Sequence, residues 1–185
     1  MSTIKKIGIL GGSFNPPHLG HVAMAKLGLE RGGLDQVWVI PCFEHPFEKA
    51  LVSFEHRYKM CELAFQDLGV RVRVLDIEKK LGGKSFTYRT VVWLKKKYPS
   101  EKFVLIIGED CAREAKTWHR YEELKKEVEW LVLPRGEKSP IPDISATATR
   151  AALQEGKGLE KFLNKNVIEY IEKNRLYPQG GDVSP

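Results

Sequence analysis

Cysteine is scarce in this chain. Only Cys42, Cys61 and Cys111 occur among 185 residues, widely spaced and with no Cys-x-x-Cys pair. That pattern argues against a disulfide framework and a zinc site, and it suits a reducing compartment. No apolar run approaches the length that spans a bilayer. Residues 1–6 lead directly into a strand pattern with no apolar signal region, so a cytoplasmic protein without a membrane partner is expected. Neither an internal repeat nor a clear linker divides the chain. The net charge is +6, but the basic runs at residues 95–97 and 125–126 fall on helical patterns and read as solvated faces. No basic stripe interleaved with aromatics accompanies them, which leaves nucleic acid out of the expected partners. A positive balance does suit small anionic substrates, through electrostatic steering.

The patterning that is present is regular. Hydrophobic residues make up 42% of the chain and charged residues 29%, the proportions of an ordinary soluble protein with a sizeable core. Strand-like apolar runs at residues 6–10, 36–40, 70–75, 103–107 and 129–133 alternate with helical patterns at 18–31, 54–68, 86–98, 115–127, 148–154 and 167–174. This alternation predicts an α/β fold, a Rossmann-like doubly wound parallel sheet with helices on both faces. A single domain over residues 1–177 is expected, with loops at 42–53 and 135–144. A tail over 178–185, rich in Gly, Pro and small polar residues, is expected to be disordered. In such sheets ligands bind beyond the carboxyl ends of the strands, at the switch point.

At that edge, after the first strand, stands the run Gly11-Gly12-Ser13-Phe14-Asn15-Pro16-Pro17-His18-Leu19-Gly20-His21. Glycines let backbone approach a phosphate closely, and a helix N-terminus offers free N–H groups at the positive end of its dipole. His18 and His21 are three residues apart on one helical face, so both imidazoles can reach one anion. The run resembles the His-x-Gly-His signature of the nucleotidyltransferase superfamily, and its full form resembles that of the bacterial nicotinate-mononucleotide adenylyltransferases. A second run, Ile144-Ser145-Ala146-Thr147-Ala148-Thr149-Arg150, precedes a helix that Ser145 or Thr147 can cap, with an Arg whose fork suits phosphate oxygens. It resembles the family's Ile-Ser-Ser-Thr-x-x-Arg, with Ala146 in place of the second serine.

The resemblance covers about residues 5–177 and implies specific roles. His18, His21 and Arg150 would be catalytic, holding the ATP phosphates. Gly11, Gly12, Ser13, Phe14, Gly20, Gly108, Asp110, Ile144, Ser145 and Thr147 would bind ATP, with Asp110 of Gly108-Glu109-Asp110 bordering the ribose. Lys49, Arg57, Ser85, Thr87, Arg89 and Trp118 would bind the acceptor, the Trp118 ring stacking on its pyridine. The family pattern is broken at three places on the acceptor side. The usual Pro-Pro-His-Lys loop reads His45-Pro46-Phe47-Glu48-Lys49, Arg89 replaces an acid, and Glu109 stands where a small residue is usual. Arg89 either contacts an anionic group of the acceptor or pairs with a nearby Glu.

The implied reaction transfers AMP from ATP to nicotinate or nicotinamide mononucleotide with Mg²⁺, releasing pyrophosphate in NAD biosynthesis. Two alternatives compete with it: another phosphate-monoester acceptor, and a non-catalytic nucleotide-binding protein on the same fold. The sequence leaves the oligomeric state open.

Overall fold

The computed structural model describes residues 4–47, 50–136 and 139–178. Five strands, β1 (Lys6–Gly12), β2 (Gln36–Pro41), β3 (Val72–Val74), β4 (Lys102–Gly108) and β5 (Glu129–Leu133), form one sheet in the order β3-β2-β1-β4-β5. All four pairings are parallel. The chain winds outward from β1 to β3, then returns across the sheet to β4. The order therefore reverses between β1 and β4, and the expected doubly wound fold is the one observed.

Parallel strands buried on both faces read as continuous apolar runs, as Ile7, Ile9 and Leu10 of β1 and residues 103–107 of β4 do. Alternate side chains feed opposite faces. Leu10, Val37, Val39, Val104 and Ile106 enter one core, packed by α1 (Leu19–Arg31), α2 (Phe54–Phe65) and α8 (Lys165–Lys173). Ile7, Ile9, Trp38, Ile40, Leu105 and Ile107 enter the other, packed by α3 (Ile77–Leu81), α4 (Thr87–Lys97) and α6 (Tyr121–Glu127).

Several element boundaries differ from expectation, each for a local reason. The helix over 54–68 stops at Phe65, and a 3₁₀ segment Gln66–Arg71 with Gly69 at φ 66° takes up Val70, so β3 starts at Val72. The short α3 was not expected; Gly82 at φ 64° ends it. The single helix over 115–127 is replaced by α5 (Glu109–Glu114), a 3₁₀ turn Ala115–Thr117 and α6. Between these pieces Trp118 is extended and Arg120 is left-handed at φ 56°. That break lets the Trp118 ring lie 6.0 Å from Trp130. The helix α7 (Ala146–Glu155) begins two residues early because Ser145 caps it, its hydroxyl accepting from the Ala148 N–H at 3.1 Å. Of the expected tail, 179–185 lies outside the described residues.

Gly8 sits in the central strand under α1. A Cβ there would meet Ile106 Cδ1 and Leu34 Cδ1, both at 2.6 Å, atoms already packed in the core. Gly8→Ala should cost about 1–3 kcal/mol of stability by overpacking, read as a lower urea midpoint at unchanged slope.

Candidate active site

The carboxyl ends of β1, β4 and β5 face the N-termini of α1, α5 and α7. Gly11 has no heavy atom within 4 Å of a built Cβ, so its backbone is open to a ligand. The loop then turns at Phe14, which takes φ 47°. The Phe14 ring is 1% exposed and packs edge-on against His21 at 4.8 Å and Phe65 at 6.2 Å. Phe14 therefore anchors the loop from within the core, and its side chain is withdrawn from the open face of the loop.

His18 is the N-cap of α1 and His21 lies in its first turn. Their rings stack at 3.7 Å. The His18 backbone N–H donates to His21 Nδ1 at 3.2 Å. A neutral ring whose Nδ1 accepts carries its proton on Nε2, so His21 presents an N–H donor from its far side. The His18 ring folds back over Gly20, where a Cβ would lie 3.0 Å from His18 Nδ1; Gly20 thus makes room for the pair. The His18 ring is buried and His21 is half-buried. Burial, and then the charge of Arg135, lowers the His18 pKa to about 4. Burial, His18 and Arg135 hold His21 well below the usual value. Both imidazoles are therefore neutral at pH 7 in the absence of a ligand.

Arg135 was not among the residues singled out in the sequence. It ends the run Val132-Leu133-Pro134-Arg135, which resembles a family segment; its place past β5, at the same sheet edge as the glycine turn, points to its role. Its guanidinium crosses the switch point. Nε lies 3.6 Å from Asp110 Oδ2, and the terminal nitrogens donate to the carbonyls of Ile144 at 3.2 Å and Pro142 at 3.5 Å. Gly108 leaves room for this: a Cβ there would meet Asp110 Oδ1 at 2.5 Å and Arg135 carbons at 3.4 Å. Arg135 thus joins the imidazoles, Gly108, Asp110 and the Ile144 segment into one cationic corner.

At the head of α7 Ser145 is spent on the cap, while Thr147 accepts from Arg150 at 3.4 Å. Arg150 also donates to the Asn15 carbonyl at 2.8 Å. This bond docks the second sequence motif onto the loop of the first, 135 residues away.

On the acceptor side several of the expected residues turn inward. Arg57 is 1% exposed. Its Nε donates to Val52 O at 2.8 Å, one terminal nitrogen to Ser13 O at 2.9 Å and Cys42 O at 2.7 Å, and the other to Phe43 O at 3.2 Å. Its donors are committed to the backbone, so it braces the loops around the site. Ser85 is buried as well, and its hydroxyl accepts from the Phe43 N–H at 2.8 Å. Arg89 turns inward to donate to the Gly82 carbonyl, with its charge beside buried Glu78. Lys49 lies outside the described residues. Thr87, in the first turn of α4, and Trp118 are half-buried and border open surface. The ring of His119 lies tilted against Phe86, with centroids 4.5 Å apart.

Comparison with known proteins agrees with this geometry. Residues 9–152 match the family model described as cytidylyltransferase-like. A protein of Anaeromyxobacter dehalogenans (strain 2CP-C) named "probable nicotinate-nucleotide adenylyltransferase" is 37% identical over 186 residues, covering 96% of this chain and 99% of the relative. One of the same name from Lactiplantibacillus plantarum is 35% identical over 190 residues, covering 95% of this chain and 89% of the relative. The solved structure of Plasmodium falciparum nicotinic acid mononucleotide adenylyltransferase complexed with NaAD has the same fold, with a TM-score of 0.80 at 21% identity, covering 96% of this chain and 100% of that one. The chain belongs to the cytidylyltransferase-like family, with the nicotinate-nucleotide adenylyltransferases as its kin, and is a nucleotidyltransferase.

His18 and Arg57 each carry a testable consequence for stability. Between pH 6.5 and about 4 the unfolded chain binds a proton at His18 that the folded chain does not. The stability from the neutral ring is complete above pH 6.5 and is lost as pH falls toward 4, on the order of 3 kcal/mol. Urea titrations across that window should show the loss, with a shallower slope in His18→Gln. For Arg57, replacement by Lys keeps the charge but not the fork. Losing two or more charge-assisted bonds should cost about 2–4 kcal/mol, again read as the urea midpoint.

Proposed function

We propose that this enzyme transfers the AMP group of ATP to nicotinate mononucleotide, releasing pyrophosphate and forming the pyridine dinucleotide. The observation that carries the reading is the corner where His18, His21 and Arg135 converge, with Arg150 docked on the adjoining loop. It is a set of donors and charges suited to a polyphosphate, and it offers no protein nucleophile. None is needed. The acceptor's phosphate oxygen is already anionic and attacks the α-phosphorus in line, and the electrons of the broken α–β bridge leave with pyrophosphate.

Catalysis then rests on positioning and on stabilising the charge that spreads over the phosphates. The Gly11-Gly12-Ser13 backbone and the first turn of α1 would cradle the triphosphate. His21 Nε2–H would donate toward the α-phosphate, and Arg150 would hold the β,γ end. Binding of the polyanion favours protonation of the two imidazoles, so donors that are neutral while empty gain charge as charge arrives. Mg²⁺ travelling with ATP supplies further neutralisation. Among the described residues no three His, Cys, Asp or Glu side chains form a metal cage, so phosphate oxygens would hold the ion.

For the acceptor, the reading rests on the half-buried Thr87 and Trp118, the tilted Phe86–His119 pair, and a cleft of about 590 Å³ lined by Phe43, His45, Val52, Phe54, Arg57 and Lys84 among others. That volume suits a mononucleotide, and an aromatic face suits its flat ring. The relatives' names specify nicotinate, which favours the acid over the amide. A cytoplasmic location fits this use of ATP. No helix among the described residues is long and apolar enough to cross a membrane.

Pyrophosphate release with ATP and Mg²⁺, offering nicotinate or nicotinamide mononucleotide separately, tests the assignment. Release with the nicotinate form is expected, well above that with nicotinamide. ATP binding without release in the presence of nicotinate mononucleotide would overturn it. His21→Ala should lower kcat roughly 10²–10³-fold; a loss under about tenfold would remove the role given to that ring.

A further inference from the structure

Asn15 is 6% exposed, yet no chemical step calls on it. Its side-chain oxygen accepts from the Val52 N–H at 3.1 Å and from the Tyr177 hydroxyl at 2.7 Å. Its backbone carbonyl accepts from Arg150 at 2.8 Å. One residue of the glycine-turn loop thus ties together the 50–53 segment, the arginine of α7 and the segment that follows α8. Tyr177 reaches it from a left-handed backbone at φ 56°. Burial pushes the Tyr177 hydroxyl pKa up, so the group stays a donor.

An arginine stem is long and flexible, and its grip on an anion depends on how firmly the stem is held beforehand. Arg150 has two tethers, Thr147 Oγ1 at 3.4 Å and the Asn15 carbonyl at 2.8 Å. The shorter of these is set by the residue that Tyr177 fixes.

We propose that Tyr177 is a positioning residue for nucleotide binding: by holding Asn15 it fixes the carbonyl that aims Arg150 at the β,γ end of ATP. The inference rests on reading Arg150 as a phosphate-binding residue. A latch that merely fastened the C-terminal segment would contribute stability and leave nucleotide affinity alone.

The test is ATP affinity, measured by calorimetry on the full chain, in a double-mutant cycle. Tyr177→Phe keeps the ring and removes the hydroxyl. It should weaken ATP about threefold to tenfold, the scale of one hydrogen bond. On the Arg150→Ala background the same change should cost nothing further, because its effect passes through Arg150. Asn15→Ser keeps a neutral oxygen and should bind ATP more tightly than Asn15→Ala, while Asn15→Ala should bind at least as weakly as Tyr177→Phe.

Wild-type affinity in Tyr177→Phe, or full additivity in the double variant, would overturn the proposal. If Tyr177→Phe does not fold, the two Asn15 variants decide. A wild-type chain that binds ATP without releasing pyrophosphate would sink the proposed reaction while the cycle still judges Tyr177. A wild-type chain that binds no ATP would sink both.

Discussion

The guanidinium of Arg57 holds the acceptor-side edge of the site in place. Loops beyond a parallel sheet carry backbone carbonyls that need partners once they pack together. Here four of them, on Ser13, Cys42, Phe43 and Val52, converge on one buried cation. Ser13 belongs to the phosphate loop, Cys42 and Phe43 to the exit from β2, and Val52 to the approach to α2. A neutral side chain could bond one or two of these carbonyls. A planar fork with a full charge bonds all four and fixes their spacing. Asn15 adds a second cross-link between the same loops through the Val52 N–H. The glycine turn can stay sparsely packed on its ligand side because it is braced so heavily from behind.

That bracing shapes the electrostatics of the corner. Two stacked imidazoles and Arg135 would repel one another if all were charged. Burial settles the matter by keeping both rings neutral at pH 7, which lets them stack at 3.7 Å. The empty site therefore concentrates donors without accumulating charge. A polyphosphate reverses the balance, since an anion favours the imidazolium form. Binding and proton uptake become linked, and the stabilising charge appears where the negative charge lies. The same burial that makes the rings responsive to an anion makes the fold sensitive to acid.

The elements that bear the site were legible wherever local pattern and long-range packing agree. All five strands were placed within two residues at either end, because strands of a buried parallel sheet leave continuous apolar runs. The His18–His21 corner was legible because its spacing is local to one helix turn. What sequence could not show is where a side chain points. Arg57 carries the residue type of an anion binder, but its direction is decided by carbonyls on loops far away in the chain. Phe14 sits inside the signature, yet a left-handed backbone sends its ring into the core. Arg135 ends the run Val132-Leu133-Pro134-Arg135, which resembles a family segment, but its role emerges only when β5 is laid beside β4. The broken helix before β5 escaped for a related reason, since Arg120 favours a helix by propensity and tertiary packing of Trp118 overrides it.

The Arg89 substitution illustrates how a departure from a family pattern can be absorbed inside the fold. An arginine where an acid is usual suggests, in sequence, a new contact with substrate. In the structure its guanidinium caps the Gly82 carbonyl at the end of α3 and faces Glu78, which is buried. Burial raises the Glu78 pKa, while hydrogen bonds from Ser85 and Thr90, the Phe43 backbone and the charge of Arg89 act against that rise. Thr90 donates to its carboxylate at 2.9 Å, and Ser85 in turn accepts from the Phe43 N–H. The chain of bonds runs from Arg89 and Glu78 through Ser85 to the very loop that Arg57 braces from the other side. The cation thus acts as an internal counter-charge beside Glu78 and helps to secure the loop at Phe43.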